Sequence, residues 1–423
     1  MKAHTESSSS PSRTTARHPW GLLFLLVLAM CISFFDRGNL AVAAPVIAPE
    51  LNLSPWSLGL LLSAFFWTYS ICQIGAGWLV DRVEVRVVYA AAFLIWSFAT
   101  LSTALVSSFA GFLCMRLLLG VGESVTYPAT SHILAATFPE ERRGLANSLI
   151  DLGARIGPAL GTLCGALLVL KTGWRGLFVI TGIGGLIWLI PWLLWSPRSL
   201  AIEAPQKRFT VGWKSLLARR EVWGTVGGLC GANYAWYFLL SWLPSYLIHE
   251  RGFSLGSMAV WGAMPYLIMA VSSIGGGVLA DRLIARGHSP VPVRKGFLVA
   301  GLIATAILLP TALFSSVGWA LTGLLASCLA FGFYASNLFA LTQTLAGPEA
   351  AGRWTGVQNA SGNLAGIASS ILTGWLVAKT GQFAIAFVAA GMACLLGAAS
   401  FFFLVRSPHN VQTLRREQSN SEP

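Results

Sequence analysis

Charge is what this chain has least of. Only 10% of its 423 residues are Asp, Glu, Lys or Arg, against 55% that are hydrophobic, so it has too little polar surface to meet water as a globule. The net charge of +12 would point to nucleic acid in a soluble protein; here it has to be read against a membrane instead. The seven cysteines (Cys31, Cys72, Cys114, Cys164, Cys230, Cys328 and Cys394) all fall inside apolar runs. None has the close spacing of a metal or redox motif, so they read as small core residues and no metal is expected. No glycine run is placed like a phosphate loop. No nucleophile, base and orienting group stand together, and His132 and His249 are isolated, so neither a cofactor nor an enzymatic activity is expected.

What the chain has is long apolar runs, which only a bilayer can absorb. They predict twelve helices, near 19–47, 56–80, 88–107, 109–137, 143–170, 174–195, 222–248, 255–280, 295–314, 317–345, 354–378 and 383–405. One long polar interruption, from Ser196 to Glu221, divides them into six and six. The expected organisation is a disordered tail 1–18, a bundle 19–195, a linker 196–221, a bundle 222–405 and a tail 406–423. The first run is too long for a signal peptide and carries Asp36 and Arg37. Of 28 Lys and Arg, only Lys171, Arg175, Arg251 and Lys379 fall on one side of the bilayer in this scheme, and Arg37, Arg116 and Arg155 lie within helices. All the others are in the tails and the loops of the opposite side, which places both termini in the cytoplasm.

The halves repeat each other. Gly77-Trp78-Leu79-Val80-Asp81-Arg82 returns as Gly277-Val278-Leu279-Ala280-Asp281-Arg282. Gly111 to Val125 matches Gly323 to Asn337, and Gly144 to Gly173 matches Gly352 to Gly381, ending in Lys-Thr-Gly both times. Duplicated bundles around a midplane site are a transporter architecture. The doubled Gly-x-Leu-x-Asp-Arg loop in a six-plus-six layout resembles the major facilitator superfamily. That resemblance implies the all-α fold of two six-helix bundles and a gating role for Asp81, Arg82, Asp281 and Arg282; Asp151 is grouped with them.

Charges inside helices are expensive. One near the bilayer centre costs about 2.5 to 3.5 kcal/mol even on the lenient insertion scale, so such groups pair, face a cavity and do work. Asp36 and Arg37 adjoin in the first helix. Arg116 and Glu123 are seven apart on one face of the fourth, and Asp151 and Arg155 four apart on one face of the fifth. Depth counting lets all six share one cavity. The repeat sets Arg116 opposite Cys328, Glu123 opposite Ala335, Asp151 opposite Asn359 and Arg155 opposite Asn363. The second half thus offers neutral hydrogen-bonding groups, Asn359 and Asn363 among them, where the first offers charge. Three acids balance three arginines, so protonating an acid leaves a net positive site, and an arginine fork suits a carboxylate.

Asp36-Arg37 together with Arg116-Leu-Leu-Leu-Gly-Val-Gly-Glu123 resembles the anion:cation symporter branch. That resemblance implies Arg37 on the substrate carboxylate, Asp36 and Glu123 as proton carriers, Arg116 paired with them, and Tyr69 and Asn363 lining the site. Phe34 and Arg155 depart from the branch's sugar-acid pattern. The expected protein is a monomeric, multi-pass importer in a bacterial inner membrane, carrying an organic anion such as a sugar acid with protons and binding no nucleic acid. Two alternatives stay open. The Gly153–Gly161 segment, similar to the Gly-Pro motif of drug antiporters, fits a proton-driven exporter, and a non-transporting membrane sensor is the other. Pro128 and Pro244 are expected to kink helices four and seven.

Overall fold

The computed structural model describes residues 19–80, 82–138, 140–196, 213–311 and 314–406. Asp81, residues 1–18, the centre of the linker and the tail after Arg406 lie outside them, and so do the expectations made for those positions. The described residues hold helices and no strand: α1 (Pro19–Glu50), α2 (Pro55–Val80), α3 (Val85–Thr103), α4 (Phe109–Glu123), α5 (Thr126–Thr137), α6 (Glu140–Trp195), α7 (Trp213–Leu217) and α8 (Arg220–Ser245). A π-helical turn, Tyr246–Glu250, precedes α9 (Leu255–Ala285), α10 (Pro290–Thr305), α11 (Leu308–Thr311), α12 (Val317–Thr380) and α13 (Ala384–Leu404). Helices close every backbone hydrogen bond within themselves, which is what hydrocarbon requires.

The boundaries depart from the expected twelve for physical reasons. The fourth predicted helix is two, α4 and α5, broken at Ser124 and Val125. Pro128 has no N–H to give to the Ser124 carbonyl, so the ladder fails there. After Pro244 in α8 the chain passes into the π-helical turn. The fifth and sixth predicted helices both lie within α6 and are separate as expected, the chain doubling back at Gly173, at φ 72° and ψ 172°. The tenth and eleventh run together as α12. Its Thr342 hydroxyl donates to Gln358 Oε1 at 2.9 Å, although sixteen residues of straight helix would span about 24 Å, so the chain folds back between them.

The repeat is visible in the backbone. Gly381, the partner of Gly173 in the second Lys-Thr-Gly, also has φ 72°. Ser54 accepts from the Ser57 amide at 3.1 Å at the head of α2, and Ser254 accepts from the Ser257 amide at 3.1 Å at the head of α9. Glu50 takes the Trp174 indole N–H at 2.6 Å and Arg175 at 2.8 Å, while Glu250 takes the Phe383 amide at 2.5 Å.

The first half packs α1 and α3 on α6 and α2 on α4; the second packs α8 on α12 and α13, and α9 and α10 on α12. Across the middle α1 meets α8, α2 meets α12, and α6 meets α9. Toward the Glu50 end the halves touch closely. A Cβ on Gly59 would lie 2.7 Å from the Ser370 carbonyl oxygen and 3.2 Å from Gly374 Cα, and one on Gly262 would lie 2.9 Å from Thr162. Toward the Arg82 end they part: Gly356, five turns before Gly374 on the same face, is exposed, and a Cβ there would meet no described atom within 4 Å.

Candidate functional site

The α1 residues Asp36 and Arg37 diverge, as neighbours on a helix must, being about 100° apart. Arg37 turns to α4 and the middle of the molecule. Its Nε donates to Glu123 Oε2 at 2.6 Å, and Ser33, one turn earlier, donates its hydroxyl to the same oxygen at 2.7 Å. The break before Pro128 puts Glu123 at the end of α4, where it is fully buried. Three rings enclose the guanidinium: Phe34 at 4.4 Å, Phe65 at 4.9 Å and Tyr69 at 4.7 Å from ring centre to Cζ. Such faces attract a desolvated cation. Glu123 Oε1 and Arg37 Nη2 are buried without a protein partner.

Asp36 turns the other way, into the first bundle. Asn39 donates to its Oδ1 at 3.0 Å and also to Thr181 of α6 at 3.2 Å; Oδ2 has no protein partner. Asp36 shares a small cavity with Thr100, Thr103, Phe112, Arg116 and Phe178, with room for about one water. Arg116 therefore does not pair directly with Glu123. Among the described residues it has no acid within ion-pair distance, and its guanidinium lies 5.5 Å from the Phe65 ring.

Asp151 and Arg155 form a third group on α6, joined Nε to Oδ2 at 3.0 Å. The acid is 52% exposed and the arginine 13%. The expectation of six charges in one cavity gives way to two ion pairs and the separate cavity of Asp36 and Arg116, because a residue's depth says nothing about its direction around the helix. An acid half exposed within a span needs water beside it, so the parting of the halves toward the Arg82 end is a wet cleft.

The second half closes this cleft with neutral groups. Tyr237 of α8 donates to Asn363 Oδ1 at 3.3 Å, Asn363 donates to Gln73 Oε1 of α2 at 3.3 Å, and Gln73 donates to the Tyr69 hydroxyl at 3.5 Å. This chain crosses from one half to the other beside the Arg37 cage. Asn359, one turn from Asn363, is half-buried and has no hydrogen-bond partner among the described residues. Of the loop groups, Arg82 stacks on Trp78 at 4.3 Å, Arg282 is exposed, and Asp281 binds Arg294 of α10 at 3.1 Å. Sequence reading missed Ser33 and Gln73, although each lies four residues from a selected group, Arg37 and Tyr69, and so on the same helix face.

Residues 26–370 match the model of the Major Facilitator Superfamily. The chain belongs to that superfamily. It is a transporter rather than an enzyme, and its fold is the all-α membrane fold expected from the repeat. It is 28% identical over 407 residues to the probable L-galactonate transporter of Escherichia coli, covering 92% of this chain and 89% of that one. To the probable galactarate/D-glucarate transporter GudP of Escherichia coli it is 29% identical over 436 residues, covering 94% and 95%. Among solved structures, a bacterial homolog of the human lysosomal transporter Spinster, inward-facing and unoccupied, superposes with a TM-score of 0.73 at 20% identity, covering 92% of this transporter and 95% of that chain.

Proposed function

We propose that this transporter imports an organic anion together with protons, by alternating exposure of the Arg37 site. The observation that carries the reading is the buried contact between Arg37 and Glu123 inside the aromatic cage, at the seam between the halves. Sugar-acid relatives support the anion, and an arginine fork is the group that would hold its carboxylate. Protonation of Glu123 on its free oxygen leaves Oε2 in place but cancels the charge that holds Arg37, which then turns its donors to the substrate. Asp36 has the same form, one oxygen anchored by Asn39 and one free, and acts as a second proton carrier beside Arg116. The Arg82 end, which carries most of the basic residues, faces the cytoplasm of a bacterial inner membrane. The arrangement described is then closed outward and open inward.

The test is uptake into liposomes holding the purified protein. An inward proton gradient should drive galactonate or galactarate above equilibrium, and collapsing the gradient with an ionophore should release it. Uptake that ignores the gradient removes the protons from the reading.

A further inference from the structure

The site holds a second cation that recognition of a single carboxylate does not require. Arg155 lies seven residues before Thr162, on the same face of α6, and Thr162 is the residue that meets Gly262 of the other half. The Arg155 face is thus turned to the opposite half, about 10 Å from that contact toward the Arg82 end. The same stretch of α6 packs beside the Arg37 cage: a Cβ on Gly157, two residues on from Arg155, would lie 2.8 Å from Cβ of Phe34, one of the three rings around Arg37.

The two arginines are held differently. Glu123 is enclosed completely, whereas the partner of Arg155 is half exposed. Ion pairs of that second kind contribute little to stability, so a substrate acid group could replace Asp151 and leave it to water at small cost.

We propose that the substrate is an organic dianion, one acid group held by Arg37 and the other by Arg155, with Asn363 of the opposite half facing it. The proposal rests on the organic-anion reading and narrows it.

Matched acids test it on the purified full-length protein. Galactarate and galactonate share a six-carbon skeleton but carry two and one carboxylates; succinate and butyrate are the four-carbon equivalents. Affinities are measured by ligand-induced shift in melting temperature and by competition for uptake, at low and neutral pH. The diacid of at least one pair should bind about tenfold more tightly than its monoacid. Arg155→Gln should bring that ratio close to one, with binding of the monoacid reporting that the variant is folded. Arg155→Lys should keep part of the preference, and Asp151→Asn should keep or increase it. Equal binding of both members of each pair overturns the proposal, as does a preference that survives Arg155→Gln. Binding of the monoacids alone overturns it while leaving the organic-anion reading intact, and binding of none of the four overturns both.

Discussion

A glutamine at position 123 would still accept from Arg37 and Ser33, yet it could neither carry nor release a proton. Glu123→Gln should therefore lose gradient-driven accumulation by about tenfold or more while exchange of labelled for unlabelled substrate continues. Counterflow in liposomes measures the second and net uptake the first. Normal accumulation would remove Glu123 as the carrier. Arg37→Lys puts a point charge in place of the fork among the three rings, and substrate affinity should fall about tenfold or more; an unchanged melting shift with substrate would place the anion elsewhere. At this scale the identity of the charged groups was legible in the chain, but their partners were not. Arg116 and Glu123 share a face by spacing, but the nearest donor to Glu123 comes from another helix. Asp36 and Arg37 are adjacent in the chain and serve different neighbourhoods.

At the scale of the helices, glycine marks where the backbone departs from the ordinary. Gly173 has φ 72° and ψ 172°, Gly381 φ 72° and ψ 3°. The first combination is open to glycine almost alone, while the second is the left-handed region that other residues visit at moderate cost. Gly173→Ala should lower stability by about 1 to 3 kcal/mol and Gly381→Ala by less, read from the melting temperatures of the two variants. Gly59 tests a different property. With Ser370 and Gly374 so close, Gly59→Val should prevent closure of the Glu50 end. Thiol labelling of Thr162→Cys in a cysteine-depleted background should then speed up, and uptake should fall about tenfold; unchanged labelling would show that the seam tolerates the methyl groups. Helix existence and the repeat were legible because apolar runs and glycine spacing carry them. The break at Ser124 was legible only as a proline four residues on, whereas the doubling back of α6 and α12 was legible in the gaps between the predicted helices 143–170 and 174–195 and between 317–345 and 354–378.

For the molecule as a whole, the charge carried per cycle is decided by the substrate. If Asp36 and Glu123 each bring a proton and the substrate is a dianion, the loaded site crosses the membrane without net charge. A net charge would be worth about 2.3 kcal/mol per 100 mV. Imposing a potassium diffusion potential should then leave the initial rate of uptake unchanged, while a proton gradient raises it; a response to voltage would require another proton or a singly charged substrate. The two-bundle plan was legible in the chain from its single polar interruption and its doubled loop. The arrangement of the moment, sealed at one end and wet at the other, was not, because the same residues must permit both.

Glu50 grips the start of the sixth-helix segment and Glu250 the start of α13, each clasp joining the first and last helices of its own half and neither reaching across. Each half is thus fastened to itself independently of the other. A transporter cut between Ser196 and Trp213 and produced as two polypeptides in one cell should therefore reassemble and carry substrate. Reversing the acid of one clasp, Glu50→Lys, should spoil the fragment that contains it and leave its mate able to complement an intact copy.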